Sequence, residues 1–198
     1  MFRIKNLFEA TRNDPEEVTF ILPELLPPSE TSIEQKKDIE SVMFYYANPC
    51  LRGGFLDSSH DSVKNIFKKY CSESGYRVDW GEIKPLLKRL ENVNRSLKNK
   101  FKRPRPKHVL VDQSHAYDNI HDMESYSYPS GHTSTAYFIS SVLSSQFPDA
   151  RADLENIAAL IGQSRIENGV HYPSDVSYGR LVGEYCADYF LEKEENYN

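Results

Sequence analysis

From Asp79 to Pro106 the chain spells out one long amphipathic helix with both ends marked. Asp79 can cap it, with Glu82 three residues on, and Pro104 and Pro106 stop it. Between them Ile83, Leu86, Leu87, Leu90, Val93 and Leu97 recur at helical spacing. A stripe of that length has to be covered, and the rest of the chain offers helices to cover it. Thr31 and Glu34 form a capping-box pattern ahead of Ile39, Val42, Met43 and Tyr46, and Pro49 ends that run. Val63, Ile66, Phe67 and Tyr70 follow the same period. Ile139, Val142 and Leu143 mark a further helix. Leu154, Ile157, Ala158 and Ile161 mark another, closing at Asn168-Gly169, which suits a left-handed stop. Val176, Leu181, Val182, Tyr185 and Tyr189 give the last, before a polar tail. Strand alternation is weak and confined to His108-Val-Leu-Val111, within a stretch from Lys107 to Pro129 that reads as a loop. The expected fold class is all-α, a compact helical bundle.

The 198 residues suit one domain with a short appendage. Residues 1–29, irregular and carrying Pro15, Pro23, Pro27 and Pro28, read as an N-terminal arm packed on a core, and 30–198 as the domain. The stretch from Ala136 to Leu143 is among the longest apolar runs and is broken by serines, far short of the ~20 apolar residues that span a bilayer. The first fifteen residues lack the apolar segment and small-residue cleavage site of a secretory signal, so the chain as written reads as soluble, cytoplasmic and without an export address. Cys50, Cys71 and Cys186 are widely spaced with no CxxC pair, and read as small buried hydrophobes rather than zinc ligands or a disulfide framework.

Charge needs to be read locally. With 24 Lys+Arg against 29 Asp+Glu the net charge is -5, which argues against a dedicated nucleic-acid binder. Yet residues 84–107 hold ten Lys/Arg and one acid, Glu91, a local balance of +9 that leaves -14 for the rest. Such a block fits a solvated helix face, an anion site or a nucleic-acid stripe. Arg105, held between Pro104 and Pro106, favours the anion site, because the prolines fix the backbone around one guanidinium. Lys98, seven residues earlier, adds a point charge beside that fork.

Two more clusters bear on chemistry. In Tyr128-Pro-Ser-Gly-His-Thr133, Ser130 stands at the N-cap of an amphipathic helix. The segment reads either as an ordinary cap or as an anion cradle, with Gly131 admitting close approach and His132 at the rim as a proton donor. The third cluster is Ser164-Arg165, His171 and Asp175. Pro173 places a helix start so that Asp175 falls in its first turn, able to reach one ring nitrogen of His171 and leave the other nucleophilic. A plain capping pair is the alternative. Metal ligation would need more His, Cys or carboxylate neighbours, so no metal is expected.

Taken in order, Lys98-x6-Arg105-Pro106, Pro129-Ser-Gly-His132 and Ser164-Arg165-x5-His171-x3-Asp175 match every defined position of one signature. It resembles that of the type 2 phosphatidic acid phosphatase (PAP2) superfamily. Leu25-Leu-Pro-Pro-Ser29, Gly162-Gln163 and Ser174-Asp175 are similar to the soluble bacterial class A nonspecific acid phosphatases, although those are secreted and this chain shows no signal peptide. The resemblance implies the helical bundle shared by PAP2 phosphatases and vanadium haloperoxidases. It implies a metal-independent, vanadate-inhibited acid phosphatase working on phosphomonoesters, nucleotides among them, through a phosphohistidine, with phosphotransfer as a side reaction and no cofactor. His171 would be the nucleophile, Asp175 its orienting partner and His132 the general acid and base. Lys98, Arg105, Ser130, Gly131 and Arg165 would hold the phosphate. The partner expected is a small phosphorylated substrate, with no nucleic acid and no integral membrane association. Relatives commonly self-associate.

Two rival readings share these residues: a vanadium-dependent haloperoxidase using the same oxyanion site, and a non-catalytic phosphate or nucleic-acid-binding module using 84–107. Tyr126, Tyr128 and Tyr172 adjoin the motifs and could either stack on a base or sugar or simply pack.

Overall fold

Helix ends follow local chemistry closely enough to be traced one by one. The computed structural model describes residue 22 and residues 25–50, 60–110 and 123–195, and among these every regular element is helical. In chain order they are α1 (Ile33–Ala47), α2 (His60–Glu73), α3 (Trp80–Phe101), α4 (Pro106–Leu110), α5 (Gly131–Gln146), α6 (Arg151–Glu167) and α7 (Pro173–Glu195). A 3-10 turn, Pro148–Ala150, joins α5 to α6.

The expected long helix is α3. Asp79 Oδ1 accepts from the Gly81 amide at 2.9 Å, and the helix closes at Lys102, whose left-handed φ of 50° precedes Pro104. Ile83, Leu86, Leu90, Val93 and Leu97 are all at most 2 % exposed. Burial of each such side chain stabilises the fold by ~1.5–3 kcal/mol relative to exposure. They join α2, α5, α6 and α7 in the main core, while Val42, Leu110, Ile166, Val170 and Tyr172 form a smaller cluster beneath α1.

Several local expectations are corrected. The cap of α1 is Ser32, which accepts from the Gln35 amide at 3.0 Å, rather than Thr31 in a box with Glu34. Gln35 and Asp38 face inward beside Val42, so the buried stripe of α1 is largely polar. The weak strand signal at His108-Val-Leu-Val111 is overturned as far as Leu110, because Pro106 opens the short helix α4. Its first turn is tied by His108 N–H to Arg105 O at 3.0 Å, and a proline suits the first helical position. Val111 and residues 112–122 of the expected loop lie outside the described residues.

On α7 the buried face is Tyr178, Val182, Cys186, Ala187 and Phe190, whereas Leu181 and Tyr189 are only partly covered and Tyr185 is 43 % exposed. The reason is backbone proximity. A Cβ on Gly179 would stand 2.6 Å from Ser130 O, and one on Gly183 2.4 Å from Ser134 O, so α5 and α7 meet along a face of small residues.

Cys71 and Cys186 are buried as expected, Cys50 is exposed, and all three are free. Of the N-terminal arm, Leu22 is buried in the main core, and Leu25 O accepts a hydrogen bond of 2.8 Å from the Tyr128 hydroxyl. Residues 1–21 and 23–24 lie outside the described residues. No described helix is long and apolar enough to cross a membrane.

Candidate active site

Four helix ends converge on His171. The C-terminal turn of α3 brings Lys98, the link from α3 to α4 brings Arg103 and Arg105, the start of α5 brings Ser130, Gly131 and His132, and the start of α7 brings Asp175. The ends are stitched directly: Ser130 N–H donates to Asp175 O at 3.0 Å, and Val170 N–H to Arg165 O at 3.2 Å. Gly169, at φ 68°, makes the left-handed turn that reverses the chain from α6 towards His171. The close approach allowed by Gly179 presses the second turn of α7 onto Ser130, so the separate sequence motifs share one site.

His171 is 2 % exposed, and its two ring nitrogens have different neighbours. Nε2 lies 3.2 Å from Arg105 Nη1. A guanidinium only donates, so Nε2 carries the lone pair and Nδ1 the proton. Nδ1 then donates to Asp175 Oδ2 at 3.1 Å. Burial lowers the His171 pKa to about 3, Arg105 adds to the effect, and Asp175 only partly offsets it. The ring is therefore neutral, with Nε2 turned to the guanidinium.

Asp175 is fully buried and saturated with donors. Besides His171, Oδ2 accepts from the Tyr172 amide at 2.9 Å and from the Ser127 hydroxyl, while Oδ1 accepts from Arg103 Nη1 at 2.6 Å. Burial pushes this carboxyl up, but the His171 hydrogen bond, Arg103 and Ser127 outweigh it and hold the pKa at about 2. A carboxylate so satisfied stays ionised and fixes the histidine tautomer.

The anion side is cationic and built on carbonyls. Arg105 is 4 % exposed, with Nε bonded to Ser125 O at 2.7 Å and Nη1 to Val170 O at 2.8 Å. Lys98 Nζ bonds Tyr126 O, which Arg105 Nη2 also approaches at 3.4 Å, so the two cations converge. Lys98 is half-buried as a residue because it borders an open cavity. Desolvation of its ammonium, reinforced by Arg105, still lowers its pKa to about 7. Ser130 Oγ accepts from Thr133 Oγ1 at 2.8 Å and from the Thr133 amide at 3.5 Å. Both lone pairs are thus engaged, which leaves the Ser130 proton to donate. Arg165 is buried at the end of α6, its Nε against Ser164 Oγ at 3.1 Å. His132 is 4 % exposed in the first turn of α5.

A supporting network behind Asp175 was not legible from the sequence. Arg103, 5 % exposed, bonds Asp38 Oδ2 at 2.8 Å, Gln35 Oε1 at 2.6 Å and Ser174 Oγ at 2.7 Å as well as Asp175. Burial opposes its charge, but Asp175 and Asp38 prevail and raise its pKa. The available signal was Arg103 beside Pro104 in the same proline-pinned turn as Arg105. Nothing in the α1 sequence pairs Asp38 with it. The tyrosines divide: Tyr128 stacks on Tyr178 with centroids 4.8 Å apart, and Tyr172 lies under Arg103 at 4.0 Å, so both pack the interior. Tyr126 is 42 % exposed.

With this geometry in place, comparison with known proteins is decisive about family. The profile of the PAP2 superfamily matches residues 90–193, more than half of the chain and all of the site just described except Gln35 and Asp38 of α1.

The chain belongs to the PAP2 superfamily.

Among curated relatives, it is 30 % identical over 179 residues to a non-specific acid phosphatase of Salmonella typhimurium, covering 83 % of this chain and 69 % of that protein. It is 29 % identical over 138 residues to an acid phosphatase of Zymomonas mobilis, covering 63 % of this chain and 51 % of that one. A non-specific acid phosphatase of Salmonella typhi is 33 % identical over 132 residues, covering 62 % and 52 %. The chain thus spans about half the length of two of these relatives. Among solved structures, a transmembrane PAP2-type phosphatidylglycerolphosphate phosphatase from Bacillus subtilis superposes with a TM-score of 0.58 at 20 % identity, covering 85 % of this chain and 90 % of that one. That likeness establishes the PAP2 fold, an all-α bundle.

Proposed function

We propose that this PAP2 protein is an acid phosphatase that hydrolyses small phosphomonoesters through a phosphohistidine at His171, without a metal. The observation that carries the reading is the polarity of His171, whose Nε2 lone pair faces Arg105 while Nδ1 is held by an ionised Asp175. A phosphoryl group entering beside Arg105 meets a nucleophile already in the reactive tautomer.

In the first step Nε2 forms a bond to phosphorus as the ester P–O bond breaks, and His132 gives its proton to the leaving alkoxide. In the second, His132 takes a proton from water, whose oxygen attacks phosphorus and releases the histidine. An alcohol in place of water would give phosphotransfer. Lys98, Arg105 and Arg165, with the Ser130 hydroxyl and the Gly131 amide, balance charge on the equatorial oxygens. Three cations are the chemistry that a metal otherwise supplies to phosphoryl transfer. Acid phosphatase relatives support the reaction class.

The two shifted groups define a pH window. His171 Nε2 stays free of a proton above about pH 3, and Lys98 keeps its charge below about pH 7, so kcat/KM should peak between these limits. The deciding experiment is acid-quench labelling with a phosphomonoester carrying radioactive phosphate. An acid-labile phosphoenzyme should form in the parent and vanish in His171→Ala. Persistent labelling would move the nucleophile elsewhere, and activity lost to EDTA but restored by a divalent cation would overturn the metal-free mechanism. Vanadate should inhibit at low concentration by occupying the same cradle.

A further inference from the structure

Helix α3 has a second stripe opposite its apolar one. Lys84, Lys88, Glu91, Arg95 and Lys98 recur at intervals of four and three residues, which aligns them along one helix face. This face walls a cavity of about 530 Å³ that also takes in Lys64 of α2 and Gly131 of α5. Lys98 and Gly131 belong at once to the phosphate cradle and to the cavity wall, so the cavity opens directly onto the reacting centre. Its size falls within the ~300–1,000 Å³ of small-molecule sites, well beyond what one phosphate fills.

Charge gives the cavity its selectivity. Away from the cradle its wall carries Lys64, Lys84, Lys88 and Arg95 against a single carboxylate, Glu91. Glu91 is shared between Lys88 and Arg95, each at 2.8 Å, and so neutralises only part of the wall. Its hydrogen bond from Lys88 holds its carboxyl below the ordinary range, keeping it an acceptor rather than a donor. An incoming anion would exchange with Glu91 for donors that are already in place. At the rise of an α-helix, Glu91, where Lys88 and Arg95 meet, lies about 10 Å along α3 from Lys98, a spacing that a sugar bisphosphate can bridge.

We propose that this cavity is a second anion subsite, and that the preferred substrates are small organic bisphosphates whose leaving group carries a further phosphate. The proposal rests on the phosphatase reading above and names the substrate class of that same site. The phosphate to be transferred sits by Lys98, Arg105 and His171, and the other is held by Lys88 and Arg95, with Lys84 one turn further out adding positive charge to the cavity wall. A neutral leaving group would leave Lys88 and Arg95 sharing Glu91 and gain nothing from them.

The test compares fructose 6-phosphate with fructose 1,6-bisphosphate on the full chain, in the parent and in Lys84→Gln/Lys88→Gln. In the parent kcat/KM should favour the bisphosphate about tenfold or more at low salt, the scale of two partly exposed ion pairs, and the ratio should collapse in the double variant through KM. Equal kcat/KM for the two substrates in the parent, or a preference that survives in the double variant, overturns the proposal. Equilibrium binding of both sugars to His171→Ala, with and without the two glutamines, separates this result from failure of the phosphatase reading. Tighter, salt-sensitive binding of the bisphosphate that the glutamines abolish sustains the subsite even where no turnover is seen. Equal binding of the two sugars removes it.

Discussion

Arg103 and Lys88 come from the same basic run, yet one stands behind His171 and the other in front of it. Arg103 is locked between Asp38 and Asp175 with 5 % of its surface exposed. The Lys88 side chain is 65 % exposed and pairs with Glu91. Behind His171 water cannot screen a charge or replace a lost partner, so each group there depends on the others. In front, solvent does both. Cations of one run are therefore locked into the geometry around His171 in one place and left to the solvent in the other.

Breaking the rear network should have the largest effect. Arg103→Ala leaves Asp38 and Asp175 buried without their cation, and should cost ~3–5 kcal/mol of stability in denaturant titration. Arg103→Lys should recover part of this, because one ammonium cannot serve four acceptors on two helices. If Arg103→Ala changes stability by less than 1 kcal/mol on the scale of exposed pairs, the contrast between the two regions fails.

Lys98 stands at the boundary, and its removal should separate activity from stability. Lys98→Met should lower turnover by ~10²–10³, as for loss of one transition-state donor. In the unfolded chain the amine holds its proton to about its ordinary 10.5, but in the fold only to about 7. Folding is thus penalised progressively as pH falls from 10.5 to 7, and the full penalty remains below 7. The methionine removes it. The rise in Tm relative to the parent should therefore widen from pH 10 to pH 7 and level off in acid.

Gly179→Ala should follow, destabilising by ~1–3 kcal/mol, because the new methyl meets Ser130 O and backbone must shift. It should also lower kcat, since the carbonyl it displaces belongs to the residue that caps α5 over the cradle. Lys88→Ala should be the mildest, within ~0.5 kcal/mol in thermal or chemical unfolding.

The parts legible in the sequence were those governed by neighbours along the chain. The α3 stripe, the Asp79 and Ser130 caps and the Gly169 stop all follow from residues a few positions apart, and each is found where expected. On α7 the same reasoning favoured Leu181, Tyr185 and Tyr189, and the structure buries the glycine face instead. Large apolar residues signal burial only when nothing else demands closer approach, and here two backbones do. Asp38 gave no signal, because a buried acid looks like a solvated one until its cation is found 65 positions away.

By itself the sequence determined that the described chain is helical, where most of its helices begin and end, and which residues form the three motifs. These are matters of period, capping and residue chemistry, fixed within a few positions. Only the tertiary structure decided which nitrogen of His171 carries the proton, that Arg103 rather than solvent faces Asp175, and which lysines of one basic run are desolvated. Those depend on distances between segments far apart in the chain and on the water excluded between them, and neither is encoded at any single position.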